Sequence, residues 1–344
     1  MGAPVKTTRE MLLEHLKQSG GNWVSGAWLS RELGVSRAAV NKHVRHLQKV
    51  GYPIATSTRK GYLLGGPFDL VLPEEIRDGL RTRIFGAGDI VFLDVTDSTN
   101  LRAKDLAAGG ASEGTIVLAE MQTAGRGRKG RGWFSPPRQG IYVSLILRPA
   151  MTPSEAPGIT LMTGVAAAEA LLSLTDLDVR IRWPNDLMVG GRKIAGILTE
   201  ISTEMDRIDH VVVGLGVNVN NRYEDLHPQI RESATSVLIE TGQVLARAGL
   251  IRAILEHFET SYAVFSQKGF EPFRQRWKEL SGIIGRCIVV EMIGRTLAGE
   301  VLDIDPEGIL ILRDDQGRRH RIVSGDVSDR SDASKPARRA RRRS

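Results

Sequence analysis

The sequence contains little cysteine and lacks any long apolar run. Its 344 residues include one cysteine, Cys287, so no disulfide can form within the chain. No stretch approaches the ~18 uninterrupted apolar residues that a membrane span requires. The opening residues also lack the apolar segment of a secretory signal. We therefore expect a cytoplasmic protein in a reducing compartment, without a membrane partner.

Signatures of metal sites and of two common nucleotide-binding folds are missing as well. The seven histidines are scattered without the spacing of metal ligands, so no structural metal is predicted. No G-x-x-x-x-G-K-[ST] motif is present, which excludes a P-loop nucleotide hydrolase. Gly125, Gly127 and Gly130 formally match G-x-G-x-x-G, but a strand pattern follows them instead of a helix, which excludes a dinucleotide-binding fold.

The net charge of +7 is distributed unevenly along the chain. Residues 1–65 hold ten cations and three anions, and residues 335–344 hold six cations and no anion. The remaining residues, 66–334, therefore carry a net charge of −6. Because a basic module favours nucleic acid, this pattern indicates an N-terminal DNA-binding part joined to a larger, mildly acidic part.

Residues 7–65 have the pattern of a winged helix-turn-helix. Three short helices are predicted, with Ser25 and Ser36 as N-caps of the second and third, and Gly34 ending the second. A basic hairpin wing follows. The apolar residues of the third helix recur at i, i+4 and i+7 and predict a buried face, formed by Val40, Val44 and Leu47.

The polar face of the third helix and the wing are the predicted DNA-binding surface. Side chains four residues apart on a recognition helix can reach base edges and phosphates together. The alternative is that this region is a small helical dimerisation module. The predicted DNA contacts are Ser36, Arg37, Asn41, Lys42, Arg45, Arg59 and Lys60.

After Gly65-Gly66-Pro67 the pattern is α+β, because apolar strands often follow one another directly and favour a mixed or antiparallel sheet. From Cys287 onward, short strands separated by turns predict a small SH3-like β-barrel. The predicted domains are 1–65, 66–281 and 282–330, with a basic, disordered tail over 331–344. The predicted central strands are Ile90–Val95, Thr115–Ala119, Ile141–Leu147, Val179–Trp183, Ile194–Ile201 and Val211–Val219, and the helices are Asn100–Ala108, Gly158–Leu174, Ala248–Ser266 and Glu271–Leu280.

The glycine–arginine run from Gly125 to Trp133 is the most informative segment of the sequence. It places four cations among four glycines, between two strongly apolar stretches. Glycines allow a backbone to approach a ligand closely, and arginines bind phosphate or carboxylate. We therefore predict a loop that closes over a small anion.

Four further segments carry polar groups that could complete a site, although each is weak alone. The first opens a helix and offers hydroxyls and free backbone N–H donors, yet such a stretch is more often a plain helix cap. The third carries a lysine, which beside a strand is more often a solvated surface residue. The segments are Asp97–Asn100, Trp183–Asp186, Gly191–Gly196 and Gly214–Asn220.

Taken in order, these segments resemble the bifunctional biotin protein ligases that also act as biotin operon repressors. The resemblance extends over residues 7–325. Its most specific parts are Gln122–Pro136 (QTAGRGRKGRGWFSP), Arg182–Leu187 (RWPNDL) and Arg192–Leu198 (RKIAGIL). It implies a winged helix-turn-helix, a catalytic domain of the biotin/lipoate ligase fold and an SH3-like C-terminal domain.

The resemblance also implies a two-step reaction. The carboxylate of biotin attacks the α-phosphate of ATP to give biotinyl-5′-AMP, and a lysine of the biotin carboxyl carrier domain of a carboxylase then takes the biotinyl group. Mg²⁺ is expected on the phosphates of ATP. Asp186 would orient Lys193 or help hold Mg²⁺, and we favour orientation. The implied catalytic residues are Lys193, Arg126, Arg128 and Asp186.

Two overlapping sets of binding residues follow from the same resemblance. Hydroxyl and amide groups would bind the ureido edge of biotin, Gly196 would leave room for its valeryl chain, and Asn218 would meet adenine or ribose. The implied biotin site is Ser98, Thr99, Asn100, Gln122, Gly125, Arg126, Arg128, Trp133, Lys193 and Gly196. The implied adenylate site is Arg128, Arg131, Trp133, Asn185, Lys193 and Asn218.

For regulation, the resemblance implies that biotinyl-5′-AMP acts as co-repressor. It would promote homodimerisation, so that two winged helices meet the operator DNA of the biotin genes. Two other functions stay open at this point. One is a lipoate–protein ligase, which shares the catalytic fold and adenylation chemistry, and the other is a transcription regulator that senses biotin without catalysis.

Overall fold

The computed structural model describes residues 7–204, 207–292 and 294–329. The basic tail predicted over 331–344 lies outside these described residues. By its contacts the chain divides into two compact units, Met1–Leu70 and Val71–Ser344.

The first unit is a three-helix module followed by a two-stranded hairpin. The caps form as the sequence predicts, because Ser36 Oγ accepts a hydrogen bond from the Ala39 amide at 3.1 Å and Ser25 Oγ accepts from Ala27 at 3.3 Å. Gly34, with φ +65°, follows the second helix. The elements are α1 (Thr8–Gln18), α2 (Gly26–Glu32), α3 (Arg37–Lys49), β1 (Ile54–Ser57) and β2 (Gly61–Leu64).

The core of this unit lies where the apolar periodicity predicts it. Val40, Val44 and Leu47 of α3 are fully buried, as are Leu12 and Leu16 of α1. β1 and β2 pair antiparallel and leave a three-residue turn between them. The predicted winged helix-turn-helix architecture is therefore confirmed.

The second unit is built on a seven-stranded mixed sheet with the order β3-β4-β5-β9-β8-β7-β6. The β3–β4 pair is parallel and every other neighbouring pair is antiparallel, which confirms the predicted mixed sheet. The strands are β3 (Ile90–Thr96), β4 (Ile116–Gln122), β5 (Gly140–Leu147), β6 (Arg180–Arg182), β7 (Asp186–Val189), β8 (Arg192–Glu204) and β9 (Arg207–Asn218).

Helices cover both faces of this sheet. Val117, Ile146 and Val212 point to the face covered by α5, and the residues that alternate with them point to the main core under α6 and α8. The helices are α4 (Pro73–Arg77), α5 (Thr99–Ala108), α6 (Pro157–Leu174), α7 (Val237–Thr241), α8 (Arg247–Lys268) and α9 (Glu271–Ser281).

α6 is the one helix of the described chain that is long and apolar enough to span a membrane by composition. Twelve of its residues are buried, and it packs against α8, α9 and the sheet. We therefore identify it as the central core helix of the second unit.

The C-terminal part of this unit is a five-stranded antiparallel sheet with the order β13-β12-β11-β10-β14. Arg274 and Lys278 of α9 hold it through ion pairs with Asp303. Its all-β character agrees with the predicted SH3-like unit. The strands are β10 (Cys287–Met292), β11 (Arg295–Ile304), β12 (Leu310–Arg313), β13 (Arg319–Ile322) and β14 (Asp326–Asp329).

Two short strands differ from the sequence predictions. The predicted strands did not include Asp186–Val189, which form β7 and make a hairpin with β8 through Gly190-Gly191. Both glycines have positive φ, +55° and +77°, as a two-residue hairpin turn requires. β14 was also not predicted, because four residues with an aspartate at either end give no apolar signal.

Candidate functional site

A cavity of about 300 Å³ lies between the start of α5, the glycine–arginine loop and strands β7–β9. Five cationic side chains line it, and Asp186 is the only acidic one among the described lining residues. Such a cavity favours an anionic ligand. The cations are Arg126, Arg128, Arg131, Arg182 and Lys193.

Glycines leave part of the cavity wall without side chains. Gly196 of β8 and Gly216 of β9 are paired neighbours in the sheet, and the indole of Trp133 lies against both. A Cβ atom at Gly216 would lie 2.5 Å from Nε1 of Trp133, and one at Gly196 would lie 2.9 Å from Cζ3. This Nε1 is buried and has no hydrogen-bond partner among the described residues. Only glycine therefore fits this surface while Trp133 rests on it.

The glycine–arginine loop folds as a small hairpin of its own. The Trp133 amide donates to the Gly125 carbonyl at 2.8 Å, and the Gly127 amide donates to the Arg131 carbonyl at 2.7 Å. Its tip is a single 3-10 turn, Arg128–Gly130. Lys129 at the tip has φ +55°, which is unusual for a side chain other than glycine. The backbone thus carries the arginines on a compact, strained tip.

Lys193 and Asp186 form the central ion pair of the site. Nζ of Lys193 lies 2.6 Å from Oδ1 of Asp186 across the β7–β8 hairpin. The approach is a charge contact rather than a directed hydrogen bond, because this oxygen has no hydrogen-bond partner in the described chain. The Lys193 ammonium also lies 5.3 Å from the Trp133 ring centroid. Both neighbours hold the ammonium group at the cavity.

The loop arginines have different surroundings. Arg128 donates to Oδ1 of Asn185 at 3.2 Å and to the Gly325 carbonyl at 3.4 Å. Burial lowers the pKa of Arg128 from its usual value, with the charge of Asp326 acting in the opposite direction. Arg126 is exposed and makes no side-chain hydrogen bond or ion pair within the described residues. Its guanidinium is therefore available to a ligand.

Asp326 of β14 holds two cations of the same loop. Lys129 Nζ lies 3.2 Å from one carboxylate oxygen, and Arg131 donates to the other at 3.0 Å. Burial alone would raise the pKa of Asp326, but the hydrogen bond from Lys129 and the nearby positive charges lower it overall. Sequence reasoning missed this contact, because about two hundred residues separate its partners and β14 was not predicted.

The start of α5 supplies a connected polar network. The Thr99 amide donates to Oε1 of Gln122 at 2.8 Å, and Nε2 of Gln122 donates to Ser135 at 2.9 Å. The prediction of free backbone N–H donors at the start of α5 is therefore wrong for two amides. Asp97 accepts a hydrogen bond from the Ser98 amide at 2.7 Å, and Gln122 accepts one from the Thr99 amide. Ser98 and Thr99 still line the cavity.

Asn100 is turned toward the sheet. Its amide nitrogen donates to the Leu198 carbonyl at 3.2 Å and to Glu200 at 2.9 Å. Ser144, which sequence reasoning did not select, donates to its Oδ1 at 2.7 Å and also contacts Thr99. These bonds position the start of α5 and occupy the polar atoms of Asn100.

Asn218 lines the cavity at the end of β9 and contacts the segment that follows this strand. Its Nδ2 donates to the Thr235 carbonyl at 2.9 Å, while the Thr235 amide donates to the Lys193 carbonyl at 2.9 Å. The segment therefore ties the asparagine to the backbone of the lysine. Gly125 is buried at the base of the loop, and Asn185 lies beside Arg128 in the wall.

In the first unit, most predicted DNA contacts are exposed. Arg37, Lys42 and Arg45 project from α3, and Arg59 and Lys60 lie in the turn between β1 and β2. Two residues are partly occupied. The hydroxyl of Ser36 caps α3, and Nδ2 of Asn41 donates to the hydroxyl of Tyr62 at 3.3 Å. The surface has the charge and the elements that DNA binding requires.

Within residues 7–204, 207–292 and 294–329, no group of three or more His, Cys, Asp or Glu side chains could hold a metal ion. Asp186 is the sole carboxylate at the cavity, and Lys193 is its partner.

Three family models match successive parts of the chain. Residues 8–63 match an HTH domain, residues 92–218 match the biotin/lipoate A/B protein ligase family, and residues 283–330 match the biotin protein ligase C-terminal domain. The bifunctional ligase/repressor BirA of Bacillus subtilis is 38% identical over 321 residues, covering 93% of this chain and 98% of the relative.

Two further comparisons agree. BirA of Escherichia coli is 34% identical over 317 residues, covering 91% of this chain and 95% of the relative. The structure of a biotin protein ligase from Aquifex aeolicus in complex with biotin and ATP is similar with a TM-score of 0.61 and 28% identity. It covers 70% of this chain and 98% of that one.

Proposed function

This chain belongs to the family of bifunctional ligase/repressors, and we propose that it activates biotin with ATP and transfers the biotinyl group to a lysine of a biotin carboxyl carrier domain. We further propose that its N-terminal unit represses biotin genes when biotinyl-5′-AMP is bound. We also propose the domain boundaries that the sequence predicts, with units over residues 1–65, 66–281 and 282–330.

The observation that carries the enzymatic proposal is the charge of the cavity. Five cations and one carboxylate line it, although residues 66–334 have a net charge of −6. Biotin and ATP are both anionic, so bringing a carboxylate to a phosphate is opposed mainly by charge repulsion. Fixed cations in a partly buried cavity lower that barrier without reorganising during the reaction.

In the first step, the biotin carboxylate oxygen attacks the α-phosphorus, and pyrophosphate leaves. We assign Lys193 and Arg126 to the phosphate and carboxylate oxygens, with Arg128 turning to them from Asn185. Asp186 holds the Lys193 ammonium at the cavity in the meantime. Each cation becomes more strongly bound as negative charge develops on the oxygens around the phosphorus, which is the condition for accelerating the step.

For biotin itself we propose a site on the glycine surface. Ser98, Thr99 and Gln122 stand at one end and would bind the ureido edge. Gly196 and Gly216 would face the ring and the valeryl chain once Trp133 moves from them. Loop closure over ligand would exclude water from the mixed anhydride. Arg131, Asn185 and Asn218 complete the proposed adenylate site.

We expect Mg²⁺ to enter on the phosphates of ATP. Mg²⁺ in such sites keeps several waters and takes one or two carboxylates. With Asp186 as the one carboxylate among the described lining residues and Lys193 against it, the cavity suits an ion carried mainly by the substrate.

For regulation, we propose that biotinyl-5′-AMP binding promotes a homodimer that presents two copies of α3 to palindromic operator DNA. DNA binding and ATP-dependent ligation both fit a cytoplasmic location, which we also propose.

Pyrophosphate exchange into ATP tests the enzymatic proposal. The protein is assayed with biotin, with lipoate and with neither. Biotin-dependent exchange is the expected result. Exchange with lipoate alone would assign the chain to lipoate ligation, and absence of exchange with either acid would leave it a regulator without catalysis.

A further inference from the structure

A second cavity, of about 220 Å³, adjoins the first and is not used by the adenylation chemistry above. We call it the side cavity. It lies between the start of α6, strand β8 and the C-terminal sheet. Its lining residues are Arg128, Ala156, Pro157, Thr160, Leu161, Trp183, Pro184, Asn185, Ile197, Thr199, Ile201, Gly308, Val323 and Ser324.

We propose that the side cavity admits the side chain of the acceptor lysine, so that the biotinyl group is transferred through its wall. The proposal rests on the proposed ligase function and assigns the place of its second substrate. The side cavity shares Arg128, Asn185 and Ile197 with the cavity described above. A group bound next to these three residues is therefore separated from the reacting centre by a single layer of side chains.

The lining chemistry selects a hydrocarbon stem over a phosphate. Apart from Arg128, the described side chains that line the cavity are uncharged, and most are apolar. Pyrophosphate would lose its hydration there and contact only one cation, so the free energy of moving it into the side cavity would be unfavourable. Four methylene groups of a lysine would instead bury against Ile197, Leu161 and Trp183.

The same lining delivers the amine in its reactive form. An ammonium group in the side cavity would meet no carboxylate among the described lining residues, most of which are apolar. Desolvation without a compensating anion lowers the pKa of a lysine. The hydroxyls of Thr160 and Thr199, which lie 2.8 Å apart, can accept hydrogen bonds from the neutral amine.

The wall between the two cavities is held by hydrogen bonds. Asn185 exchanges two with the Ile197 backbone, at 2.8 and 2.9 Å, and Arg128 donates to Asn185 at the longer distance of 3.2 Å. In the proposed first step Arg128 turns to the phosphate. That movement withdraws the side chain that separates the cavities, so the lysine gains access only after the adenylate is present.

The transfer step then balances as follows. The neutral lysine Nζ attacks the biotinyl carbonyl carbon, and the bond from that carbon to the phosphate oxygen breaks. AMP leaves with the electron pair of that bond. The nitrogen loses one proton to water, which leaves an amide, AMP and a proton.

Two lining side chains also reach solvent and offer a surface for the acceptor protein. Ile201 is 42% exposed and Val323 is 57% exposed. They come from β8 and from the loop before β14, so they belong to different sheets. We assign them to the apolar contact with the carrier domain around its lysine.

The test separates the two half-reactions in the full-length protein. Thr160→Met fills the side cavity, and Ser173→Met, exposed near the end of the same helix, is the matched control. Pyrophosphate exchange reports the first step. Transfer from preformed biotinyl-5′-AMP is measured to a biotin carboxyl carrier domain and, in parallel, to hydroxylamine, a small nucleophile that needs no lysine channel.

We expect Thr160→Met to slow transfer to the carrier domain about tenfold or more, because the longer side chain occupies the space proposed for the lysine stem. Exchange and reaction with hydroxylamine should stay near the wild-type rates. Val323→Glu, with Val264→Glu as its exposed control, should raise KM for the carrier domain and leave exchange unchanged. Because Val323 is exposed, this variant does not depend on repacking the interior.

Wild-type transfer to the carrier domain in both variants would overturn the proposal. Loss of exchange in Thr160→Met would also overturn it, because the side cavity would then serve ATP or pyrophosphate. Absence of biotin-dependent exchange in the wild-type protein would contradict the proposed function itself, and so it is distinguished from failure of this inference.

Discussion

At the scale of single residues, the account depends on the Lys193–Asp186 pair. We expect Lys193→Ala to lower biotin-dependent pyrophosphate exchange by about 100-fold or more, because removing one preorganised charge from a reacting centre costs roughly 3–4 kcal/mol. The control is Lys278→Ala, since Lys278 also lies 2.6 Å from an aspartate but far along the chain, on α9. It should keep the wild-type exchange rate. Equal losses in both variants would show a general effect on folding.

Asp186→Asn separates the two roles that the sequence left open for this carboxylate. If it positions Lys193, the variant should lower kcat for exchange about tenfold at every Mg²⁺ concentration. If it binds Mg²⁺, the variant should instead raise the Mg²⁺ concentration that gives half-maximal rate. The ion pair at 2.6 Å favours the first result. A Mg²⁺ titration of the variant beside the wild type measures the difference.

Where chemistry and order along the chain were informative, the sequence selected residues that the fold brings together, while the roles of these residues stay predictions. The loop arginines, Lys193 and Gly196 all line one cavity, as the resemblance implies. Asn100 shows the limit, because its sequence position cannot reveal that its amide faces Leu198 and Glu200. Ser144 gave no signal at all, since it lies inside an otherwise apolar strand.

At the scale of elements, we propose that the glycine–arginine loop closes over the ligand and retains the intermediate. Arg128→Gly removes the side chain proposed to hold the reacting phosphate. We expect this variant to release biotinyl-5′-AMP and to biotinylate lysines of unrelated proteins, detectable by blotting a mixture that contains bovine albumin. Retention of the intermediate as in the wild type would contradict a gating role for the loop.

The glycine surface of β8 and β9 gives another test. Gly216→Ala places a methyl group where Trp133 rests, so we expect a loss of biotin affinity of about tenfold or more by calorimetry. Gly88→Ala is the matched control, because a Cβ there meets nothing within 4 Å. If both variants bind biotin like the wild type, biotin does not occupy this surface.

Elements with long apolar runs were predicted well, and short ones were not. β5 and α6 have eight and eighteen residues and strong apolar patterns. β7 and β14 have four residues each and include aspartates, so only pairing with neighbouring strands reveals them. The contact of Asp326 with the loop depends on β14 and could not be inferred from local pattern.

At the scale of the whole molecule, the two units divide binding to DNA from ligation. Arg45→Ala on α3 should weaken operator binding and lower its salt dependence by about one counterion, while exchange stays unchanged because α3 lies in the other unit. Gel shifts over a range of salt concentrations measure both quantities. An unchanged gel shift would contradict the proposal that α3 contacts DNA through Arg45.

Regulation is a property of the full chain. A gel shift on the biotin gene promoter should show tighter binding with biotin and ATP than without them, since the adenylate is proposed to promote the dimer. Light scattering under the same conditions should show an increase in mass. The same shift in both conditions would contradict the co-repressor role and would leave the ligase proposal intact.

The central claim is that this protein joins biotin to an acceptor lysine through the cavity beneath the glycine–arginine loop. Its most direct test is the intact mass of a biotin carboxyl carrier domain after incubation with the protein, ATP and either biotin or lipoate. We predict one added biotinyl group with biotin, none with lipoate, and a far smaller modified fraction with the Lys193→Ala variant after the same incubation time. An unmodified carrier domain in the presence of wild-type protein and biotin, or equal modification by Lys193→Ala, would contradict the account.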